Sequence, residues 1–156
     1  IGETNPDYWS DDKARNETDK IKTRTKKTIE ERLGDDPYAQ KVFSALLKEA
    51  IEKAEAMFDY KAQFRMFSDL EKMVEERDVP DLPVSAFDGN KHAQAYYGAF
   101  KLVLVKEFDA LEAEKGDQLV EEAFEIDKVV NRAVAENSLN PAGIKANYLR
   151  YSFPAL

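Results

Sequence analysis

The sequence contains no cysteine and no long run of apolar residues. Without cysteine the chain can form no disulfide framework, no thiolate nucleophile and no cysteine-based zinc site. The longest apolar stretch, residues 100–105, is interrupted by Lys101 and falls far short of the ~18 residues that indicate a membrane span. Six glycines and six prolines are too few for a fibrous or low-complexity chain. These absences favour a globular protein of a reducing compartment.

The start of the chain has neither an initiator methionine nor a charged-then-apolar leader. We therefore expect no signal peptide, and we interpret the chain as a fragment of a larger intracellular protein. The length of 156 residues predicts one domain, and a chain of that size can bury about 68–70% of its unfolded surface.

The apolar pattern predicts an all-α fold, a single compact domain of about six helices. Apolar residues recur at three- and four-residue steps, and this spacing continues on both sides of 102–105, the one stretch that resembles a strand. We expect a long, basic first helix capped by Ser10 and a second helix capped by Asp36, whose apolar stripe is widened by Ile51 and Phe58. The fourth helix has little polar face, so we expect it at the centre of the core. The expected bounds are about 11–33, 37–58, 61–76, 90–113, 117–136 and 141–150.

Charge is distributed unevenly along the chain. The net charge is −8, which argues against a protein that binds nucleic acid on its own. The segment from Lys13 to Arg32, however, has eight basic and four acidic residues and a net charge of +4. The remaining 15 basic and 27 acidic residues sum to −12. This asymmetry makes the first helix the main functional candidate.

The first helix carries its basic residues on both flanks of a thin, weakly apolar stripe. The stripe is Ala14, Thr18, Ile21, Thr25, Thr28 and Ile29. At 100° per residue, the basic side chains fall into two rows, one on each flank of the stripe; we name them the first and the second basic row and give their residues below. One interpretation is a solvated surface helix with local ion pairs, and the other is a helix that contacts phosphates. Four neutralised phosphates would give a salt slope of about −3.6. The first basic row is Lys13, Lys20, Arg24 and Lys27; the second is Arg15, Lys22 and Lys26; Arg32 ends the segment.

Other candidate residues have a structural interpretation beside the functional one. His92 has no nucleophile or orienting carboxylate evident in the sequence, so we expect a structural or interface residue rather than a catalytic base. Tyr96 and Tyr97 lie about 100° apart on the fourth helix, so one is expected in the core and the other can anchor an interface. Acidic residues of the fifth helix, around Glu122 and Glu125, lack the Glu-x-x-His elements of a di-iron bundle. No phosphate-binding glycine loop or metalloprotease motif is present.

Four stretches of the chain together resemble the extreme C-terminal region of the motor (R) subunits of type I restriction–modification enzymes, in particular the type IC subfamily. The stretches are Asn5–Ser10 with Lys13–Asp19, Asp36–Ser44, Asn90–Gly98, and Glu136–Pro141.

This resemblance implies a bacterial, cytoplasmic parent protein that cleaves DNA and translocates it with ATP and Mg²⁺, in a complex with methyltransferase and specificity subunits. The motor and nuclease motifs would lie upstream, so the domain itself would need no cofactor or metal. The domain would assist assembly of the complex, and it would bind double-stranded DNA weakly, through the phosphate backbone of the DNA. The alternative is a purely protein–protein interaction module. The residues that the resemblance marks as interface or structural are Asn90, Lys91, His92, Tyr96, Tyr97, Asn137 and Asn140.

Overall fold

The computed structural model describes residues 4–137, which form α-helices and short 3-10 turns with no strand in that range. The predicted all-α class is therefore confirmed. The chain divides into two compact units, one ending at Leu82 and one beginning at Pro83. The prediction of a single domain stays a prediction, and the predicted helix 141–150 lies outside the described residues. The described helices are α1 (Asp11–Arg32), α2 (Pro37–Glu55), α3 (Tyr60–Glu76), α4 (Lys91–Val103) and α5 (Phe108–Glu136).

The first unit contains α1, α2 and α3, each started by a side-chain cap. Ser10 accepts a hydrogen bond from the Lys13 amide, and Asp36 accepts one from the Ala39 amide, so both predicted caps are confirmed. Asp59 caps α3 in the same way, accepting from the amides of residues 61 and 62. Because caps satisfy amides that have no partner within the helix, they fix where each helix begins.

The core of the first unit joins α1 to α3 more extensively than to α2. Phe43 and Phe67 are fully buried, and the Trp9 ring packs edge-on against Phe64 with 4.7 Å between centroids. The face of α1 toward this core is the stripe predicted from the sequence, with Thr28 only half-buried. Its buried residues are Ala14, Thr18, Ile21, Thr25 and Ile29.

The second unit is built around a cluster of aromatic rings. The ring centroid of Tyr97 on α4 lies 5.4 Å from that of Phe87, which belongs to a 3-10 turn. It lies 5.5 Å from the ring centroid of Phe108 at the start of α5. Phe124 extends the cluster from the middle of α5, with its ring centroid 5.8 Å from that of Phe87. These rings hold α4, the turn and the first half of α5 together.

The predicted fourth helix, 90–113, is wrong in its length, because α4 ends at Val103. An unbroken helix would place residues 97 and 108 about 16 Å apart along its axis, at 1.5 Å per residue. The turn at 104–107 instead returns the chain, so that Phe108 packs on Tyr97. Val103 and Val105 are 79% and 74% exposed, so their apolar character does not reflect burial in this unit. A central position for α4 in the core of the whole chain stays a prediction.

Two other helix boundaries differ from the sequence prediction. Helix α2 ends at Glu55 rather than near residue 58, because the chain turns toward the Asp59 cap of α3. Helix α5 begins at Phe108, before the expected start at 117, and contains one non-helical residue, Lys115 (φ −134°, ψ 31°). The break expected around Gly116 is therefore a kink within α5.

Candidate functional site

The buried stripe of α1 separates the two basic rows and gives each a different neighbour. Arg24 of the first basic row reaches α3, where it forms two hydrogen bonds with Glu71. Arg15, Lys22 and Lys26, the second basic row, line open pockets whose other walls are α2 and, beside Arg15 and Lys22, the start of α3. The eight cations of the segment therefore do not form one continuous surface.

Two cations of the first basic row already have an acidic neighbour. The Arg24 Nε and Nη2 atoms lie 2.6 and 2.9 Å from the two Glu71 carboxylate oxygens. This hydrogen-bonded pair is the main cause that raises the pKa of the Arg24 guanidinium. Lys20 lies 3.0 Å from Glu17. Arg24 is consequently a bridge between helices, and its charge is paired with the Glu71 carboxylate.

Two lysines of the first basic row have no acidic partner among residues 4–137. Lys27 is exposed and makes no ion pair in that range, whereas Lys13 lies over the Trp9 ring, 5.5 Å from its centroid. Lys13, Lys20 and Lys27 are seven residues apart in turn, so they stand almost in line, with about 10 Å between successive positions. This lysine line is the most regular cationic feature of α1.

The second basic row is partly neutralised by acids of α1 itself. Lys22 Nζ lies 3.1 Å from Asp19 and also 5.8 Å from the centroid of the buried Phe67 ring. Lys26 lies 4.0 Å from Glu30, at the limit of an ion pair. Arg15 is exposed with no acidic partner in the described range. These i, i+3 and i, i+4 pairs match the solvated-helix interpretation.

Arg32 lies at the end of α1, away from both rows. Its side chain is exposed and forms no ion pair within the described part of the chain, while its carbonyl accepts a hydrogen bond of 3.2 Å from Arg77. Arg77 also reaches Asp35 at 2.9 Å. The end of α1 is therefore tied to the end of α3 through Arg77 and not through Arg32.

Helix α4 separates the other candidate residues into structural and accessible ones. Asn90 caps α4 through the Ala93 amide and donates to the buried Asp127 carboxylate at 2.9 Å. Tyr97 is buried and donates to Glu112; burial, followed by this hydrogen bond, raises its pKa. His92 is exposed, and Tyr96 is half-buried. As expected from their spacing, one tyrosine is in the core and the other is partly accessible.

The remaining candidate residues do not form a cluster with His92 and Tyr96 among the described residues. Lys91 is half-buried at the first position of α4. Asn137 follows α5, and its side-chain amide donates to the Ala133 carbonyl at 3.2 Å, as a helix end requires. Asn140 lies outside the described residues. The acidic residues of α5 are not all exposed to solvent. Glu122 and Glu125 are exposed, whereas Asp127 is buried and accepts a hydrogen bond from Asn90.

Sequence reasoning misses an exposed apolar surface at the end of α2. The expected helix 37–58 puts Phe58 on its apolar stripe, but Phe58 follows the end of α2 and is 98% exposed. Ile51, also from that stripe, is 37% exposed. The signal that could have found this surface is the Asp59 cap, which requires the chain to leave helical geometry just before it.

Phe58 and Ile51 border a groove between α1 and α2, which the start of α3 closes at the Phe58 end. Two adjoining pockets of about 470 and 400 Å³ share Ile51, and they extend from Arg15 and Phe58 at one end to Lys26 and Ser44 at the other. The apolar residues that line them are Ile29, Leu47, Ile51, Ala54, Met57 and Phe58.

Between residues 4 and 137 no helix has the length and apolar character needed to cross a membrane. Over the same range, no group of three acidic or histidine side chains is arranged to hold a metal ion. No protein-family model matches the chain, and searches of curated proteins and of solved structures also found no match.

Proposed function

We propose that this chain is a non-catalytic assembly and DNA-contact domain of the motor subunit of a bacterial, cytoplasmic type I restriction–modification enzyme. The four stretches of resemblance support the parent protein, which would supply ATP, Mg²⁺, translocation and DNA cleavage elsewhere in its chain. The observation that carries the DNA-contact part is the lysine line of α1, Lys13, Lys20 and Lys27.

The lysine line suits a weak contact with the DNA backbone and not sequence recognition. Lysine is a flexible point charge that can approach phosphates without a fixed geometry. The acidic remainder of the chain opposes tight binding, so the domain would act within a larger complex that already holds DNA. Double-stranded DNA and the methyltransferase and specificity subunits are the proposed partners, together with the rest of the parent chain.

The test replaces the lysine line in the intact complex. Lys13→Gln, Lys20→Gln and Lys27→Gln together remove three charges and should reduce the magnitude of the salt slope of DNA binding by about 2.7, at 0.9 per phosphate contact. The matched control is Lys41→Gln, Lys53→Gln and Lys72→Gln, which removes three charges from exposed lysines of α2 and α3 outside both pockets. We expect the control to keep the parental slope; equal slopes for both variants would refute a contact specific to this row.

A purely protein–protein interaction module is the second candidate, and two observations favour it. Arg24 is bound to Glu71, while Lys20 and Lys22 have acidic neighbours on α1. In addition, α2 ends at an exposed apolar surface that includes Phe58 and Ile51. This candidate predicts that deleting the domain prevents docking of the motor subunit on the methyltransferase core. Complexes that do assemble would bind DNA with unchanged affinity.

A further inference from the structure

The α1–α2 groove is as long as a short helix. On α1 it extends from Arg15 to Glu30, which corresponds to about 22 Å at 1.5 Å per residue. A helix of about four turns has the same length. The bottom of the groove contains Ile29 and Leu47, which are buried, while Ile51 and Phe58 stand exposed beside them.

The backbone of the groove walls favours a helical ligand over an extended one. An extended peptide gains affinity from main-chain hydrogen bonds to a free strand edge. Helices α1 and α2 use their own amides and carbonyls internally, so their sides offer no such edge. A helix satisfies its own backbone and presents only side chains, which is what an apolar groove between helices accommodates.

The charges around the groove favour a protein partner over a nucleic acid. The lining residues sum to zero net charge, so the groove has no cationic excess to attract a polyanion. They comprise four cations, Arg15, Lys22, Lys26 and Lys48, and four anions, Asp19, Glu30, Glu52 and Glu55.

The unpaired charges of the groove walls also indicate which charges the two sides of the ligand helix carry. Lys22 and Lys26 have acidic neighbours on α1, which leaves Arg15 as the cation without an acidic partner on that wall, within the described range. On the α2 wall, Lys48, Glu52 and Glu55 are exposed and make no ion pair within residues 4–137, so this wall has a net charge of −1. A complementary helix therefore carries a carboxylate on its side toward α1 and a lysine or arginine on its side toward α2.

We propose that the α1–α2 groove binds an amphipathic helix of a methyltransferase or specificity subunit, with Phe58 as an aromatic anchor. This inference rests on the proposed assembly function and specifies its partner chemistry. Aromatic side chains that become buried at an interface commonly dominate its binding energy. Because Phe58 is almost fully exposed in this chain, its substitution leaves the core of the unit intact.

The first experiment measures assembly of the full motor subunit with the methyltransferase core. Phe58→Ala should weaken assembly at least about tenfold, the loss typical of a buried interface anchor, and Ile51→Ala should do so to a smaller extent. Tyr8→Ala is the matched control, since Tyr8 is an aromatic residue 75% exposed on the short 3-10 turn Pro6–Tyr8. Equal affinities for the Phe58 and Tyr8 variants would overturn the proposal.

The second experiment identifies the occupant. A benzophenone side chain is introduced at Ser44, on the groove rim, and at Lys72, an exposed residue of α3 that lines neither pocket. Irradiation of the complex should link position 44, and not position 72, to a subunit peptide with apolar residues at three- and four-residue steps. Links from position 44 to DNA, to the same chain or to a second motor subunit would contradict the inference.

A domain deletion separates the two levels of the proposal. If deletion leaves assembly intact, the proposed function and the groove inference both fail. If deletion abolishes assembly while Phe58→Ala and Ile51→Ala bind normally, the assembly function stands and only the groove inference fails.

Discussion

The two compact units bury polar groups in different ways. In the first unit, two buried side chains bond to backbone carbonyls: Thr18 donates to the Ala14 carbonyl at 2.7 Å, and Gln63 on α3 donates to that of Ala54 on α2 at 3.1 Å. In the second unit, Asn90 bonds to Asp127 and the Tyr97 hydroxyl bonds to a carboxylate of α5, so side chains of α4 and its cap reach α5. Both units contain a buried tyrosine that donates to a carboxylate, Tyr38 to Asp81 in the first, and the first unit adds bonds from buried side chains to helix carbonyls.

The aromatic contacts also differ between the two units. In the second unit the aromatic residues form a connected set of rings, whereas in the first unit they are dispersed among aliphatic side chains and threonines. Loss of the Tyr97 ring would therefore remove contacts to three other rings. The connected rings are Phe87, Tyr97, Phe100, Phe108 and Phe124.

The largest expected effect comes from deleting a ring in each unit. Phe108→Ala and Phe67→Ala should each cost about 3–5 kcal/mol of unfolding free energy, because both side chains are fully buried. Hydrogen exchange would locate the loss: we expect reduced amide protection confined to the unit that carries the substitution. Equal loss of protection across both units would show that they unfold together, as the single-domain prediction requires.

An intermediate effect tests the side-chain pairs of the second unit. Tyr97→Phe removes the hydrogen bond to Glu112 and should cost about 1.5 kcal/mol, since the acceptor is a carboxylate. Urea denaturation gives this value, with Tyr8→Phe as a control for an exposed tyrosine. A cost near zero would mean that water replaces the bond without loss.

The same pair predicts a pH dependence. The folded state raises the pKa of Tyr97 above the ordinary value of 10.0, so above that pH the unfolded chain loses its proton first. The contribution is fully present below about pH 10 and declines as the pH rises. The unfolding free energy of the parental chain should therefore fall more steeply between about pH 9.5 and 11 than that of the Tyr97→Phe variant. The other tyrosines titrate in both chains, so the difference between the two curves belongs to Tyr97. Parallel curves would contradict the assigned cause.

The smallest effect concerns the threonines of α1. Thr25 is buried and its hydroxyl has no hydrogen-bond partner within residues 4–137, so Thr25→Val should stabilise the first unit by about 1 kcal/mol. Thr18→Val is the matched control, because it removes a hydroxyl that is bonded to the Ala14 carbonyl and should destabilise by about 1 kcal/mol. Thermal unfolding distinguishes the two signs, and destabilisation by both would show that the Thr25 hydroxyl has a partner.

The contrast between the units also explains which parts of the fold could be predicted from the sequence. The caps Ser10 and Asp36 and the buried stripe of α1 depend on residues a few positions apart, so their spacing identified them. The return of the chain at 104–107 depends on Phe108 packing against Tyr97, which the local three-four pattern cannot express. For the same reason the pattern predicted one long fourth helix.

The candidate site shows the same limit. The two basic rows follow from helical periodicity alone, and α1 carries them on the expected flanks. The Glu71 partner of Arg24 comes from another helix, 47 residues away, and so could not be foreseen. The prediction for Phe58 was wrong because a shift of three residues in the end of α2 moves that ring from an apolar stripe to the surface.

The kink in α5 has a consequence for how that helix forms. Lys115 leaves helical geometry, so the segment 108–114 is a helix of only about two turns before the longer remainder. An isolated helix in water needs about 12–15 residues even to be marginally populated. The short segment therefore owes its helicity to Phe108 and Glu112, which join it to Tyr97. In a peptide that begins at Phe108, this segment should be a random coil, while the part beyond Lys115 retains the length to fold autonomously.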